Sequence, residues 1–168
     1  MDRVIGSRIM LDDYDDLYAM EFMDCISDLL ELEGVQRLSE YFQHCSTTRL
    51  QHSINVAYYN YRICKFLHFD YKSAARAGLL HDLFYYDWTT EKTPERHTFY
   101  HPKEALKNAL EMTDINAIEA DAIAKHMWPM CFGIPKYKES YVITLTDKYC
   151  AVMEVCQQLK FRIKSHFN

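Results

Sequence analysis

The clearest helical signal in this sequence is the segment Asp70-Tyr71-Lys72-Ser73-Ala74-Ala75-Arg76-Ala77-Gly78-Leu79-Leu80-His81-Asp82. Asp70 is a favourable N-cap, and the pattern after it predicts a helix over about 71–84. Small residues share a stripe with His81, so this helix can approach a neighbouring helix closely. Asp82 lies about 100° further round the same helix. The segment therefore predicts an imidazole and a carboxylate beside a close helix contact.

The chain on either side is predicted to be helical as well. With 4 Gly and 4 Pro in 168 residues, it has too few turn formers for an all-β sandwich or barrel. Apolar residues recur at a helical period, without convincing alternation of period two. The other predicted helices cover about 11–32, 35–44, 48–68 with N-caps from Ser46-Thr47-Thr48, a helix beginning at Pro102, one from Asp114 to Trp128, and 139–167 with a possible break near Gln157. The predicted class is all-α.

Composition narrows the possible partners and setting. The net charge of −5 argues against a nucleic-acid polymer or an anionic membrane as the main partner. No apolar run reaches the ~20 residues of a membrane span, and the first residues lack a signal-peptide pattern. The six cysteines contain no C-x-x-C pair and are predicted to be mostly small buried hydrophobes. We therefore expect a cytoplasmic protein.

Several titratable side chains are predicted to face inward from different helices. His52, His81, His126 and Asp147 each share a stripe with apolar or small residues. His101 is expected at a helix start, directly before Pro102. A lone inward histidine is more often a satisfied core residue than a ligand. An unpaired carboxylate facing a core is costly, however, so Asp82 and Asp147 need partners, and a divalent metal is an economical one. Imidazole and carboxylate ligands suit Zn, Fe, Mn, Co or Ni, whereas thiolate ligation is not indicated.

The order and spacing of these residues resemble the HD superfamily of metal-dependent phosphohydrolases. The resemblance rests on His52, the pair His81-Asp82, His101, His126 and Asp147, and it covers about residues 46–156. It implies an HD-domain-like helical bundle over 46–168 with a metal site in its core. Residues 1–45 are then expected to form an N-terminal helical extension packed on that bundle.

The two extra histidines between the pair and the last aspartate resemble the two-metal branch of this superfamily. The resemblance implies one ion held by His52, His81, Asp82 and Asp147. It implies a second ion held by Asp82, His101 and His126, with Asp82 as the bridge between the metals. Iron or manganese is expected first, with zinc, nickel, cobalt or magnesium as alternatives.

This sequence departs from its relatives at three places. Leu83-Phe84 follows the His-Asp pair where some subfamilies carry Ile-Gly, which leaves the subfamily open. Lys125 precedes His126 where some relatives carry a second histidine. His97 is the alternative to His101 as the third histidine, and His101 is preferred because a helix start would fix its position.

The resemblance implies hydrolysis of a phosphate ester or anhydride, with metal-activated water as nucleophile. Arg49, Lys148 and, less strongly, Lys125 are candidate phosphate contacts, although each can instead be a surface charge or ion-pair partner. The loop over 85–100 is typical of a lid, and Asp87 or His97 within it can donate a proton to the leaving group. The ligand spacing resembles the HD-type diadenosine tetraphosphate hydrolases. Nearby aromatic residues can stack a nucleobase or serve packing: Tyr85, Tyr86, Trp88, Phe99, Tyr100 and Trp128.

The expected substrate is therefore a small phosphorylated molecule, a nucleotide or dinucleotide. Two alternatives remain open at this point. The same ligand types occur in mixed-valent di-iron oxygenases of the HD branch, and an HD fold can also act as a non-catalytic nucleotide-sensing module. The oligomeric state is left open by the sequence.

Overall fold

The computed structural model describes residues 4–5, 17–44, 47–131 and 133–166, with side chains up to residue 163. Within these residues the chain forms seven α-helices, one short 3-10 helix and a two-stranded antiparallel sheet. The predicted all-α class is confirmed. The elements are α1 (Leu17–Leu30), α2 (Glu33–Gln36), the 3-10 helix (Arg37–Glu40), β1 (Phe42–His44), β2 (Thr47–Thr48), α3 (Arg49–Phe66), α4 (Tyr71–Leu80), α5 (His97–Met112), α6 (Ala117–Lys125) and α7 (Lys138–His166).

Side-chain caps start the helices that carry the predicted site. The Thr48 hydroxyl accepts a hydrogen bond from the Gln51 N–H and caps α3, as predicted. The Asp70 carboxylate accepts one from the Ser73 N–H and caps α4, also as predicted. Helix α6 begins later than the sequence indicates, because Asn116 and not Asp114 supplies its cap. These bonds satisfy N–H groups that the first helical turn leaves without partners.

The predicted helix over 35–44 is wrong in its second half, where residues 42–44 form a strand. The chain forms α2, the 3-10 helix and then β1, which pairs with β2 in a small hairpin. The hairpin continues directly into α3, where the Arg49 N–H donates to the Tyr41 carbonyl at 2.8 Å. This contact between residues eight positions apart holds an extended segment that the helical period of the sequence does not indicate.

Helix α5 also differs from its prediction. It begins at His97, so Pro102 lies inside the helix and not at its first position. The extra turn is held by stacking, since the His97 ring lies between the rings of Trp88 (5.3 Å between centroids) and His101 (4.3 Å). The irregular segment predicted over 85–100 therefore ends at Arg96.

The ends of the chain were predicted with mixed success. Helix α1 falls within the predicted helix 11–32, and residues 11–16 of that prediction lie outside the described residues. Helix α7 is continuous over Lys138–His166, so the suggested break near Gln157 is wrong.

One hydrophobic core joins α1 to the helices of the site. It includes Phe22 and Ile26 of α1 together with Leu79, Ile123 and Ile143 from α4, α6 and α7. The described part of residues 1–45 therefore contributes to the same core as the bundle, while the boundary at residue 46 stays a prediction. In the part of the chain that the structure describes, every helix is too short or too polar to span a bilayer.

Candidate metal centre

The pair His81-Asp82 lies at the C-terminal end of α4, inside the bundle. His81 directly follows Leu80, the last residue of the helix, and its Nδ1 donates to the Gly78 carbonyl at 2.8 Å. His81 is fully buried and Asp82 is 2% exposed. The helix end thus presents an Nε2 atom and a carboxylate to the interior.

His126 and His101 are oriented in the same way. His126 follows the last residue of α6, and its Nδ1 donates to the Ile123 carbonyl at 2.9 Å. His101 lies within α5, and its Nδ1 donates to the His97 carbonyl at 2.7 Å. Because a carbonyl can only accept, each Nδ1 carries a proton, and the Nε2 lone pair of each neutral ring faces the interior.

His52 reaches the same space from α3. Its Nδ1 lies 3.0 Å and 3.1 Å from the two carboxylate oxygens of Glu154 on α7. Its Nε2 lies 3.1 Å from Oδ1 of Asp147, which precedes Glu154 by two turns on α7. His52 is fully buried, whereas 13% of the Asp147 side chain is exposed. Glu154 therefore orients His52 toward Asp147.

Two groups of potential metal ligands result, and they share Asp82. One group is His52, His81 and Asp82, and the other is Asp82, His101 and His126. Within each group the ligand atoms lie within 4.8 Å of one another, and all five residues are buried. Asp147 adjoins the first group, since its Oδ1 lies 3.7 Å from His81 Nε2. The structure therefore brings all six predicted ligands together.

Unsatisfied atoms in this cluster fit a cation. His81 Nε2 and Asp82 Oδ1 are buried without a hydrogen-bond partner among the described residues. His101 Nε2 and His126 Nε2 lie 2.8 Å apart. Because the Nδ1 proton of each ring is bonded to a carbonyl, the two Nε2 atoms face each other with their lone pairs. A bound cation would remove the repulsion between these lone pairs. The donor set of imidazole nitrogen and carboxylate oxygen suits a divalent transition metal.

The pKa shifts in the second group, which is Asp82, His101 and His126, favour metal binding. Burial, together with the neighbouring imidazoles of His101 and His81, lowers the pKa of His126 to about 3. Burial likewise lowers the pKa of His101. Burial alone would raise the pKa of Asp82, but charge interactions, of which the largest is with His81, outweigh burial and hold the pKa below its usual range. At neutral pH His101 and His126 are thus neutral, and Asp82 is ionised.

In the first group the pKa of His52 is shifted in the opposite direction, because the carboxylates of Asp147 and Glu154 both face its ring. Burial acts to lower the pKa of His52, but hydrogen bonds to Asp147 and Glu154 outweigh it and raise the pKa to about 10. His52 and His81 hold the pKa of Asp147 well below its usual range against the effect of burial. Without a metal, His52 therefore carries a proton that a ligand imidazole must lose.

A cavity of about 200 Å³ opens onto this cluster. Its volume is small, but it joins both ligand groups to the surface beside the loop that precedes α5. The lining residues are Gln43, Asp82, Trp88, His97, His101, His126, Met127, Met130, Asp147, Lys148 and Ala151.

No protein-family model matches the chain, and no curated protein or solved structure matches it significantly.

Arg49 has a different task from the predicted phosphate contact. It is fully buried, and its guanidinium donates to the carbonyls of Phe84 at 2.6 Å and Tyr86 at 3.2 Å. A further bond runs from its Nε to Gln43 Oε1 at 2.9 Å. Since its donors are committed to the segment after Asp82, Arg49 anchors that segment and does not present a free cation to the cavity.

The two lysines predicted to contact phosphate have different surroundings. Lys148 lines the cavity, and its Nζ donates to the carbonyls of Thr144 at 3.0 Å and His126 at 3.3 Å. Lys125 instead pairs with Asp121 at 2.5 Å and donates to the Ile134 carbonyl at 3.0 Å. Lys148 therefore remains the candidate phosphate contact, whereas Lys125 holds α6 to the segment before α7.

Some residues of the predicted lid line the cavity, and others do not. His97 lines the cavity and is held by a hydrogen bond with the Tyr86 hydroxyl at 3.0 Å, and burial lowers its pKa to about 4. The Asp87 carboxylate accepts from the N–H and hydroxyl of Thr89. Among the predicted aromatic residues, Trp88 lines the cavity, while the Tyr85 hydroxyl donates to the Gly34 carbonyl.

Sequence reasoning missed Gln43 and Glu154. Gln43 lies on the unpredicted hairpin, and its amide nitrogen donates to Asp82 Oδ2 in a very short contact. Glu154 lies on α7, two turns after Asp147, which the period of 3.6 places on the same face. That periodicity is a signal that sequence analysis could have used for Glu154, whereas no comparable local signal exists for Gln43.

Proposed function

We propose that this protein is a metal-dependent phosphohydrolase of the HD type, acting on a phosphate ester or anhydride of a nucleotide or dinucleotide. The observation that carries the proposal is the convergence of four imidazole Nε2 atoms on two aspartates from five separate segments. Each imidazole is oriented by a hydrogen bond at its other nitrogen. That combination is typical of histidines that ligate metals.

The residues would hold two divalent ions. His52, His81, Asp82 and Asp147 would hold one, and Asp82, His101 and His126 would hold the other, so that Asp82 is shared between them. Two such ions, when bound, supply Lewis acidity that makes water a better nucleophile and polarises a phosphoryl oxygen. The donor set accepts iron and manganese, and also zinc, nickel and cobalt.

The remaining residues would bind and orient the substrate. The Lys148 ammonium at the cavity wall would neutralise a phosphate oxygen beside the ligand cluster. The Trp88 ring, which is 41% exposed and lines the same cavity, would stack on a nucleobase. His97 is neutral at pH 7, so it would accept or share a hydrogen bond with substrate more readily than donate as an acid.

The test is metal content together with hydrolysis. Purified protein is stripped with a chelator and reloaded with Mn²⁺ or Fe²⁺, metal is counted per chain, and phosphate release is measured from p-nitrophenyl phosphate, mononucleotides and diadenosine polyphosphates. We expect two ions per chain and hydrolysis that depends on them. Asp82→Asn should lose both, because it weakens the ligand shared by the two groups.

Asp28→Asn is the matched control, since Asp28 makes an ion pair with Arg76 on the far side of α4. It should retain metal and activity. Undiminished hydrolysis by chelated protein, or by Asp82→Asn without metal, would refute the proposal. Oxygen consumption by the iron-loaded protein without phosphate release would replace hydrolysis with oxygenase chemistry.

A further inference from the structure

A buried carboxylate outside the ligand set controls one of the predicted ligands. Glu154 is 2% exposed, and its side chain lies among α3 residues. Both of its oxygens lie within 3.1 Å of His52 Nδ1. Oε1 also accepts a hydrogen bond from the Asn55 amide at 2.9 Å. Burying a carboxylate in this way is costly unless donors surround it, and here two donors do so.

The network behind Glu154 is itself anchored. Asn55 Oδ1 accepts from the Gln51 amide at 3.0 Å and from the Ile5 N–H at 3.1 Å. The orientation of the Asn55 amide is therefore determined, with its nitrogen toward Glu154. In turn Glu154 can only accept, so His52 must present an N–H to it.

We infer that Glu154 is the positioning residue of the metal centre: it fixes the Nδ1–H tautomer and the ring plane of His52 and thereby directs Nε2 to the ion. This inference rests on the metal centre of the proposed function and extends it to a residue that does not touch the metal. The other three histidines obtain the same orientation from backbone carbonyls of their own helices. His52 is the one that depends on a side chain 102 residues away.

Glutamine at this position breaks the arrangement without changing its size. A carboxylate offers an acceptor oxygen to both His52 and Asn55, whereas an amide offers one oxygen and one NH₂ group. Whichever way the amide faces, its NH₂ group occupies an oxygen position that lies 3.0 or 3.1 Å from the His52 Nδ1 donor, so the contact that orients the ring is weakened. Outer-sphere partners of ligating histidines typically account for about 10–100-fold in metal affinity.

The experiment measures Zn²⁺ affinity by chelator competition in the full chain for wild type, Glu154→Gln and Glu154→Asp. We expect Glu154→Gln to bind zinc about 10–100-fold more weakly and Glu154→Asp, which keeps the charge, to recover part of the loss. In the zinc-loaded wild type, ¹⁵N NMR of the histidine rings should show His52 with its proton on Nδ1. In Glu154→Gln that signal should shift or broaden.

Glu139→Gln is the matched control on the same helix. Glu139 is 6% exposed and accepts from the Asp70 N–H at 3.0 Å, far from the ligand cluster. It should leave zinc affinity and the His52 signal unchanged. The inference is overturned if Glu154→Gln binds zinc within threefold of wild type, or if Glu139→Gln weakens binding equally.

The readouts also separate this inference from the proposed function. If zinc binding depends on Glu154 but the protein hydrolyses no phosphate substrate, the hydrolase proposal is contradicted and the positioning role of Glu154 is supported. Hydrolysis with Glu154→Gln unimpaired in zinc affinity would do the reverse. A wild-type chain that binds no metal at all would overturn both.

Discussion

Replacing Gly78 with alanine tests whether the site depends on the close approach of α4 to α3. A Cβ atom built at Gly78 would lie 2.7 Å from the Ala57 Cα and 2.9 Å from the Ala57 nitrogen. It would also lie 2.7 Å from the Asn60 amide nitrogen. Ordinary contact begins at 3.4 Å, and two of the three opposing atoms belong to backbone. The two helices must therefore separate by roughly 0.7 Å, because backbone atoms cannot rotate away as a side chain can.

Two opposing effects set the size of the change. Alanine stabilises a helix interior by about 1 kcal/mol relative to glycine. Overpacking of a buried contact costs about 1–3 kcal/mol, and a backbone clash belongs at the upper end of that range. We therefore expect a net loss of about 1–2 kcal/mol in the free energy of unfolding. The displacement also moves His81, three residues further along, away from His52 on α3.

Urea unfolding of the metal-free protein measures the first effect, and zinc affinity measures the second. We expect zinc binding to weaken by about tenfold or more, since ligand placement is needed to within about 0.5 Å. Gly34→Ala is the matched control. Its Cβ would meet the ends of two flexible side chains, the Met112 methyl and the Tyr85 hydroxyl, which can move aside.

Gly34→Ala should therefore cost at least about 1 kcal/mol less than Gly78→Ala. A Gly78→Ala protein that is more stable than wild type by the helix-propensity gain would show that α3 and α4 are not in tight contact. Unchanged zinc affinity in a destabilised Gly78→Ala protein would show that ligand geometry does not depend on that contact.

Further outcomes concern pH and substrate binding. The pKa of His126 is lowered to about 3 in the folded protein from the ordinary imidazole value of 6.5, so the unfolded chain binds a proton that the folded one does not as the pH falls below 6.5. Metal-free protein should lose stability over that range, and His126→Gln should remove part of the loss in urea unfolding curves. The pKa of His52 is shifted in the opposite direction, to about 10 in the folded protein. Its contribution to the free energy of unfolding is therefore full below pH 6.5 and is lost as the pH rises through 10. His52→Gln should flatten the alkaline side of the curve of stability against pH. Lys148→Ala should raise KM for a phosphate substrate about tenfold or more with metal content unchanged, because a charged hydrogen bond contributes about 1.5–3 kcal/mol. Lys125→Ala is its control, and an unchanged KM in Lys148→Ala would remove that residue from the phosphate site.

Local signals predicted much of the fold. The caps Thr48 and Asp70 and the helical period of the chain identified α3 and α4 to within a few residues. These features act over one or two turns, so they are visible in the sequence. The hairpin of β1 and β2 was not visible, because its strands are short and are held by contacts with α3 and Asp82.

The candidate ligands show the same division. Inward-facing stripes and the HD resemblance named His52, His81, Asp82, His101 and His126 together with Asp147, and all six lie in one cluster. The reason given for His101 was nevertheless wrong, since it lies in the second turn of α5 and is held by its stacked neighbour. Residue type and period can indicate a face, but they cannot indicate where a helix begins when tertiary stacking extends it.

Local patterns in the sequence are enough to establish that the chain is helical, which residues face inward, and that these include more imidazoles and carboxylates than a core can bury unpaired. The tertiary structure decided which of them meet. It placed Glu154 behind His52, turned Arg49 from a candidate phosphate ligand into an anchor for backbone carbonyls, and brought Gln43 onto Asp82. The physical reason is that helix periodicity is a property of neighbouring residues, whereas hydrogen-bond partners and buried charges are set by contacts between segments that are distant in the chain.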